Sequence, residues 1–186
     1  MLRYQNGDID SFEMLYRRYE KPLLDFIYRM VMNPSEAENL HQETFYRVIR
    51  SKKKYKATAL FKTWLFQIAI NLCRDRLRRL KHRSHLSLNS PAASHNDKGV
   101  ELHQLISDPS SDVVKQMESE ELVSLVKGAI ASLPEKENLV FIMKEYQGMK
   151  FSEIADILNC PLGTLMSLNY RAIEKLKKTL SKYVGD

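Results

Sequence analysis

Residues Phe61–His82, FKTWLFQIAINLCRDRLRRLKH, form one helix-length stretch with two chemistries. Its first half spaces Trp64, Leu65, Ile68, Ala69 and Leu72 at i, i+3/i+4 and i+7/i+8, which gives a helix with one apolar face. Its second half carries Arg74, Arg76, Arg78, Arg79 and Lys81 against a single acid, Asp75. A helix end this basic needs solvent or an anion to take up its charge. A solvated arginine face is one reading. Phe61, Trp64 and Phe66 just upstream suggest another, because aromatics beside a cationic stripe suit single-stranded nucleic acid, whose bases stack and whose phosphates need neutralising. Trp64, framed by Leu65 and Ile68, is expected to serve the core before it serves a base.

Working outward, the 186-residue chain has room for one medium domain or two small ones. Its net charge of +6 suits a polyanionic partner. The charge is uneven: residues 1–80 hold sixteen Lys/Arg against nine Asp/Glu, whereas residues 121–186 hold nine against eight. Cys73 and Cys160 lie inside helical patterns and read as small core residues of a reducing compartment. No apolar run approaches membrane-spanning length and no signal-peptide core opens the chain, so a cytoplasmic protein is expected. Gly and Pro are sparse and no alternating strand pattern occurs. The expectation is an all-α fold of two small helical domains, 1–83 and 113–186, joined by a flexible linker at 84–112.

In the first domain, Asp8, Asp10 or Ser11 can cap a helix whose apolar stripe is Phe12, Leu15, Tyr16 and Tyr19. Pro22 should kink or restart it. A helix from about Ser35 to Arg50 should bury Ala37, Leu40, Thr44, Phe45, Val48 and Ile49, with Glu36, Glu38, Asn39, Gln42 and Glu43 outside. A basic loop, 51–60, leads into the opening stretch. The linker is punctuated by Ser, Asn, Asp, Pro and Gly. His82, His85, His95 and His103 crowd around it, but their spacing fits no standard zinc pattern, and no metal or cofactor is expected. Beyond it, Ser152 is a candidate N-cap for a short helix, Asn159-Cys160-Pro161 a tight turn, and Leu162–Leu180 a longer helix. Together these describe a helix-turn-helix. No nucleophile–base set, metal cluster or Gly-rich phosphate loop is visible, so neither an enzyme nor a small-molecule substrate is expected.

The pattern F-x-T-W-L-x-x-I-A-x-N-x-x-x-D-x-x-R at Phe61–Arg78 resembles the promoter-melting segment of bacterial sigma factors of the extracytoplasmic-function group. Gly7–Tyr16 is similar to the opening of that group and Ala37–Phe45 to its polymerase-binding helix. Leu133–Phe141 and Phe151–Ser167 are similar to its upstream-element domain. The resemblance implies a specificity subunit of RNA polymerase, with the catalysis left to the polymerase. It assigns Asn39, Gln42 and Glu43 to the clamp helices of core RNA polymerase, Asn39 replacing the usual Asp. It assigns Tyr55, Phe61, Lys62, Trp64, Asn71, Arg74, Arg78 and Arg79 to the downstream promoter element, its melted non-template strand and the adjoining duplex. It assigns Thr164, Ser167, Tyr170, Arg171 and Lys175 to the upstream element. It sends the acidic linker residues Asp97, Glu101, Asp108 and Asp112 toward the polymerase cleft. A membrane-anchored anti-sigma factor is implied as an inhibitor.

The recognition helix departs from the group's usual G-T-V-K-S-R-L-x-R-A-R. Met166, Leu168 and Ile173 stand where cations are expected, and Asn169 stands at a usual core position. Leu165, Ala172 and Leu176 should still set the core, with Asn169 turned to solvent. Missing cations weaken the grip on phosphate at every sequence, so weak upstream binding is expected. Two alternatives stay open: a sigma-like interaction protein that docks without supporting initiation, and a stand-alone helix-turn-helix repressor. The latter does not explain Ala37–Phe45.

Overall fold

The computed structural model describes residues 1–87 and 113–181, with side chains placed for 1–82 and 122–181. His85, His95, His103 and the four linker acids lie outside the described side chains. The described residues are all helical or in turns and loops, and the chain divides into two units, Asp156–Leu158 grouping with the first. Among the described residues no helix is long and apolar enough to cross a membrane.

The N-terminal unit comprises α1 (Leu2–Gln5), α2 (Ile9–Val31), α3 (Pro34–Arg50), a 3-10 turn (Lys52–Lys54) and α4 (Phe61–Ser87). Asp8 caps α2 by accepting from the Ser11 backbone N–H at 3.1 Å and the Ser11 hydroxyl at 2.7 Å. These two bonds, with Arg3 nearby, hold its carboxyl below the usual range. Pro22 does not restart the helix: one helix, Ile9–Val31, runs through it. Pro22 is exposed, so the carbonyl its missing N–H leaves unpaired is solvated. Met32, left-handed at φ 55°, ends α2, and Asn33 caps α3 by accepting from the Glu36 N–H.

Leu23, Phe26 and Ile27 of α2, Ala37, Phe45 and Val48 of α3, and Leu65, Phe66, Ala69 and Cys73 of α4 form the core of this unit. The apolar face of α4 is therefore centred on Leu65, Phe66, Ala69 and Cys73, while Trp64 and Ile68 sit half-buried at its margin. Phe66 is no platform for bases; its ring packs against Phe26 at 5.2 Å. Ile49, expected inside, is exposed, and His41 takes an inside place that its polarity conceals. The His41 ring N–H donates to the Glu20 carbonyl at 3.1 Å, which satisfies it between α2 and α3. Helix α4 extends to Ser87, four residues into the stretch read as linker.

The C-terminal unit comprises α5 (Val113–Ala131), α6 (Glu135–Phe141) continuing into a π-helical turn (Ile142–Tyr146), α7 (Phe151–Leu158) and α8 (Leu162–Leu180). Helix α7 starts at Phe151, so Ser152 is not its cap. The Glu153 carboxylate accepts from the Lys150 backbone N–H at 2.9 Å instead. Asn159 takes the left-handed conformation, φ 48°, that turns the chain into α8. Ala129, Ile130 and Leu133 pack with Ala172 and Leu176, joined by half-buried Val126, Phe141 and Leu180.

Candidate nucleic-acid interface

On α4, residues 64, 68, 71, 75, 78 and 82 fall on one side of the helix by the 3.6-residue period. This row starts at half-buried Trp64 and continues through exposed Asn71, Asp75, Arg78 and His82. From Trp64 to Arg78 it runs about 21 Å at the helical rise. One straight row thus joins an aromatic end to a cationic end. Arg79 is exposed beside it, and Arg74 is half-exposed on its other flank. Arg78 lies 3.4 Å from Asp75, which leaves its charge on the surface. Arg76 points elsewhere: its guanidinium bonds Glu36 and ties α4 to the first turn of α3.

The aromatic end is a cluster. Tyr55 lies 5.2 Å from Trp64 and 6.3 Å from Phe61, and Phe61 lies 5.5 Å from Tyr19. Phe61 is buried, so it supports Tyr55 and Trp64 from below and offers no free face. Lys62 shares the row of Phe66, Ala69 and Cys73, away from Asn71, and stays half-exposed only because it stands in the first turn. Partial burial, and then the nearby Tyr19, push the Tyr55 hydroxyl above its ordinary pKa, so it stays protonated. That hydroxyl donates to the Ala59 carbonyl at 3.0 Å, closing the tip of the loop.

The loop is braced from a place that sequence reasoning misses. The Gln5 amide on α1 donates to the Lys52 carbonyl at 2.6 Å and the Tyr55 carbonyl at 2.9 Å. The Lys52 ammonium lies 4.7 Å from the centre of the Tyr4 ring. These bonds fix the Tyr55 backbone while Lys53, Lys54 and Lys56 remain exposed. A Gln four residues from the chain start carries no local signal for such a role; only the fold brings it there.

On α3, Asn39 and Gln42 are exposed, and Glu43 accepts from Arg47 at 2.7 Å on the same helix. Exposed Tyr46 and Ile49 continue the same row at i+7 and i+10 from Asn39. The face is therefore polar at one end and apolar at the other. The period alone places Ile49 inside and gives no role to Tyr46.

On α8, Thr164, Ser167, Tyr170 and Arg171 are exposed along the second helix of the helix-turn-helix. Lys175 is not available in the same way: its ammonium lies 2.7 Å from the buried carboxylate of Glu137 on α6. Leu165, Ala172 and Leu176 are buried as expected. Asn169 is not turned to solvent; it is 7% exposed and donates to Glu145 at 3.1 Å, while its carbonyl oxygen has no partner. Leu165, Ala172 and Leu176 fix which side of α8 faces inward, and 169 lies on that side.

Residues 15–83 match Sigma-70 region 2 and residues 125–176 match Sigma-70, region 4. The chain is 32% identical to the ECF RNA polymerase sigma factor SigW of Bacillus subtilis, over 95% of this chain and 92% of that protein. It is 31% identical to the ECF RNA polymerase sigma-E factor of Escherichia coli (strain K12), over 94% and 88%. It is 29% identical to the RNA polymerase sigma-H factor of Pseudomonas aeruginosa, over 96% and 90%. Its fold is similar to the sigma factor RpoE of Bartonella quintana, solved with the anti-sigma factor NepR, at TM-score 0.67 and 19% identity over 92% of this chain and 97% of that one. It is equally similar to CnrH, solved with the cytosolic domain of CnrY, at TM-score 0.67 and 17% identity over 97% and 94%. With both family regions matched in order and relatives above 30% identity along nearly its whole length, this chain belongs to the sigma-70 family, among the extracytoplasmic-function (ECF) RNA polymerase sigma factors.

Proposed function

We propose that this sigma factor divides its work between three helices. The row on α3, with Asn39, Gln42 and Glu43 at its polar end and Tyr46 and Ile49 at its apolar end, docks on core RNA polymerase. Helix α4 and the 51–60 loop capture the downstream promoter element as it opens. Helix α8 enters the major groove of the upstream element. The observation that carries the reading is the row on α4, aromatic at Trp64 and cationic at Arg78. Its aromatic end, with Tyr55, suits an unstacked base, its cationic end suits the adjoining duplex phosphates, and exposed Asn71 between them suits a base edge. Flipping a base costs a few kcal/mol. Stacking returns roughly 1–3 kcal/mol per base, so capture offsets opening.

The relatives are regulatory subunits, and the phosphodiester chemistry belongs to the polymerase. The site of action is cytoplasmic, where polymerase and chromosome meet. An anti-sigma inhibitor, such as the NepR bound to the similar RpoE fold, is part of the proposal. Run-off transcription with core polymerase on a genomic fragment library tests it. New discrete start sites that depend on the protein are expected. Core binding without any new transcript would instead identify a docking-only protein.

A further inference from the structure

The first turns of α8 carry an apolar ridge that the core does not use. Leu162, Met166 and Tyr170 stand at i, i+4 and i+8 and are 47%, 52% and 67% exposed. The adjoining row holds Gly163, Ser167, Arg171, Glu174 and Lys178, all exposed, with Glu174 offset by Lys177 at 3.3 Å. No side chain caps the start of the helix at Pro161. The ridge thus lies along one flank of a polar and cationic face, at the end of the helix that leads into a groove.

A DNA groove offers an apolar side chain few partners. In the major groove the base edges present donors and acceptors, and the one apolar group is the C5-methyl of thymine. A methionine pressed against guanine would cover the O6 and N7 acceptors without satisfying them. Against thymine it buries the C5-methyl group and can leave the neighbouring O4 acceptor to water. Arg171 and Lys178 on the neighbouring row give the charge that holds the phosphates beside it. This charge favours DNA over an apolar protein surface as the occupant.

We propose that Met166, with Leu162 beside it, is a specificity-determining residue that reads thymine in the upstream promoter element through its C5-methyl group. The proposal rests on the reading of α8 as the upstream-element helix, and it replaces a merely weakened grip with an altered preference.

Uracil in place of thymine tests it, because the change removes the methyl and leaves pairing and phosphates intact. Holoenzyme formed with the full chain is assayed on a promoter recovered by the run-off experiment, with uracil placed only in the upstream element. Transcription at limiting holoenzyme should fall about fourfold for each buried methyl group that uracil removes. Uracil placed between the two elements should have no effect. Met166→Ala should remove most of the uracil effect, whereas Met14→Ala, an exposed methionine on α2, should keep it. Met166→Arg should strengthen binding to every upstream sequence, steepen the salt dependence by about one unit and abolish the uracil effect. Equal transcription from thymine and uracil templates overturns the proposal, as does a uracil effect that survives Met166→Ala. Reduced transcription by Met166→Ala without any uracil effect overturns it too, and assigns the ridge to a protein partner. Failure of the run-off experiment to yield any promoter would instead count against the proposed reading of α8 and α4 as supporting initiation.

Discussion

At the scale of single residues, two polar groups of the C-terminal unit decide what α8 can offer DNA. Asn169 occupies a buried position with half its amide unsatisfied, and its one partner, Glu145, is exposed and can be solvated without it. Asn169→Leu should therefore raise stability by about 1 kcal/mol, since it removes an unpaired buried carbonyl and adds apolar contact. A urea titration of the full chain reads this as a higher midpoint with unchanged slope; a lower midpoint would mean that the space beside Leu165 is too small for the larger side chain. Lys175 behaves oppositely. Its bond to Glu137 makes it a tie between α6 and α8. Lys175→Met should cost about 1–2 kcal/mol, between the values for exposed and buried pairs, because Lys175 is half-exposed while Glu137 is not. It should leave the salt dependence of promoter binding unchanged, whereas Lys178→Met should flatten it by about one unit. The two cysteines separate as cleanly. Burial pushes the Cys73 thiol up to about 12, so it is protonated and shielded, while Cys160 is half-exposed in the turn before α8. A thiol reagent should modify Cys160 in the native chain and Cys73 only on unfolding, as peptide mass mapping would show.

At the scale of elements, the packing of α3 on α2 contains a titratable contact. His41 lies among Tyr16, Phe45 and the Glu20 carbonyl, and burial lowers its pKa below the ordinary 6.5 although Glu20 acts the other way. The folded ring is neutral, while the unfolded ring takes a proton near its ordinary pKa. The contribution is therefore fully present above that value and is lost as pH falls toward the folded one. Between pH 7.5 and 5, the Tm of the native chain should fall further than that of His41→Gln, which keeps a donor and cannot titrate. Equal losses would show that the ring titrates alike in both states. His41 also shows where sequence reading reaches its limit. The helices, their order and the cores around Phe26, Phe45, Leu65 and Leu176 follow from period and turn chemistry, which are local. A buried histidine, the Gln5 brace on the 51–60 loop and the Arg76–Glu36 tie depend on which side chains meet across 21, 47 and 40 residues of chain. Pattern does not encode those meetings. Ile49 and Asn169 depart from expectation for a related reason: polarity sorts residues by preference, whereas the position on the helix is set by the stronger anchors on either side.

At the scale of the whole molecule, the two units differ in how much charge they leave for DNA. In the N-terminal unit, Lys53, Lys54 and Lys56 on the loop and Arg78 and Arg79 on α4 are all exposed. On α8, Lys175 is engaged by buried Glu137, and Lys177 lies 3.3 Å from Glu174 much as Arg78 lies 3.4 Å from Asp75; on the proposed reading Arg171 and Lys178 are the α8 cations offered to phosphate. Each neutralised phosphate contributes about 0.9 to the salt slope on duplex and about 0.7 on a single strand. Replacing Arg171 and Lys178 together by Ala should flatten the slope of holoenzyme–promoter binding by about two units. Replacing Lys53, Lys54, Lys56, Arg78 and Arg79 together by Ala should flatten it by roughly four, with the larger effect on the open complex if the loop meets single strand as proposed. Binding measured across a range of potassium concentrations, with permanganate footprinting of the melted strand, separates the two. A larger loss from the α8 pair than from the N-terminal five would mean that the upstream helix carries the electrostatic grip after all. The expected order instead makes the N-terminal unit the source of affinity and promoter opening. The C-terminal unit, with fewer cations free for phosphate and an apolar ridge at its leading edge, then acts chiefly on which promoters are chosen.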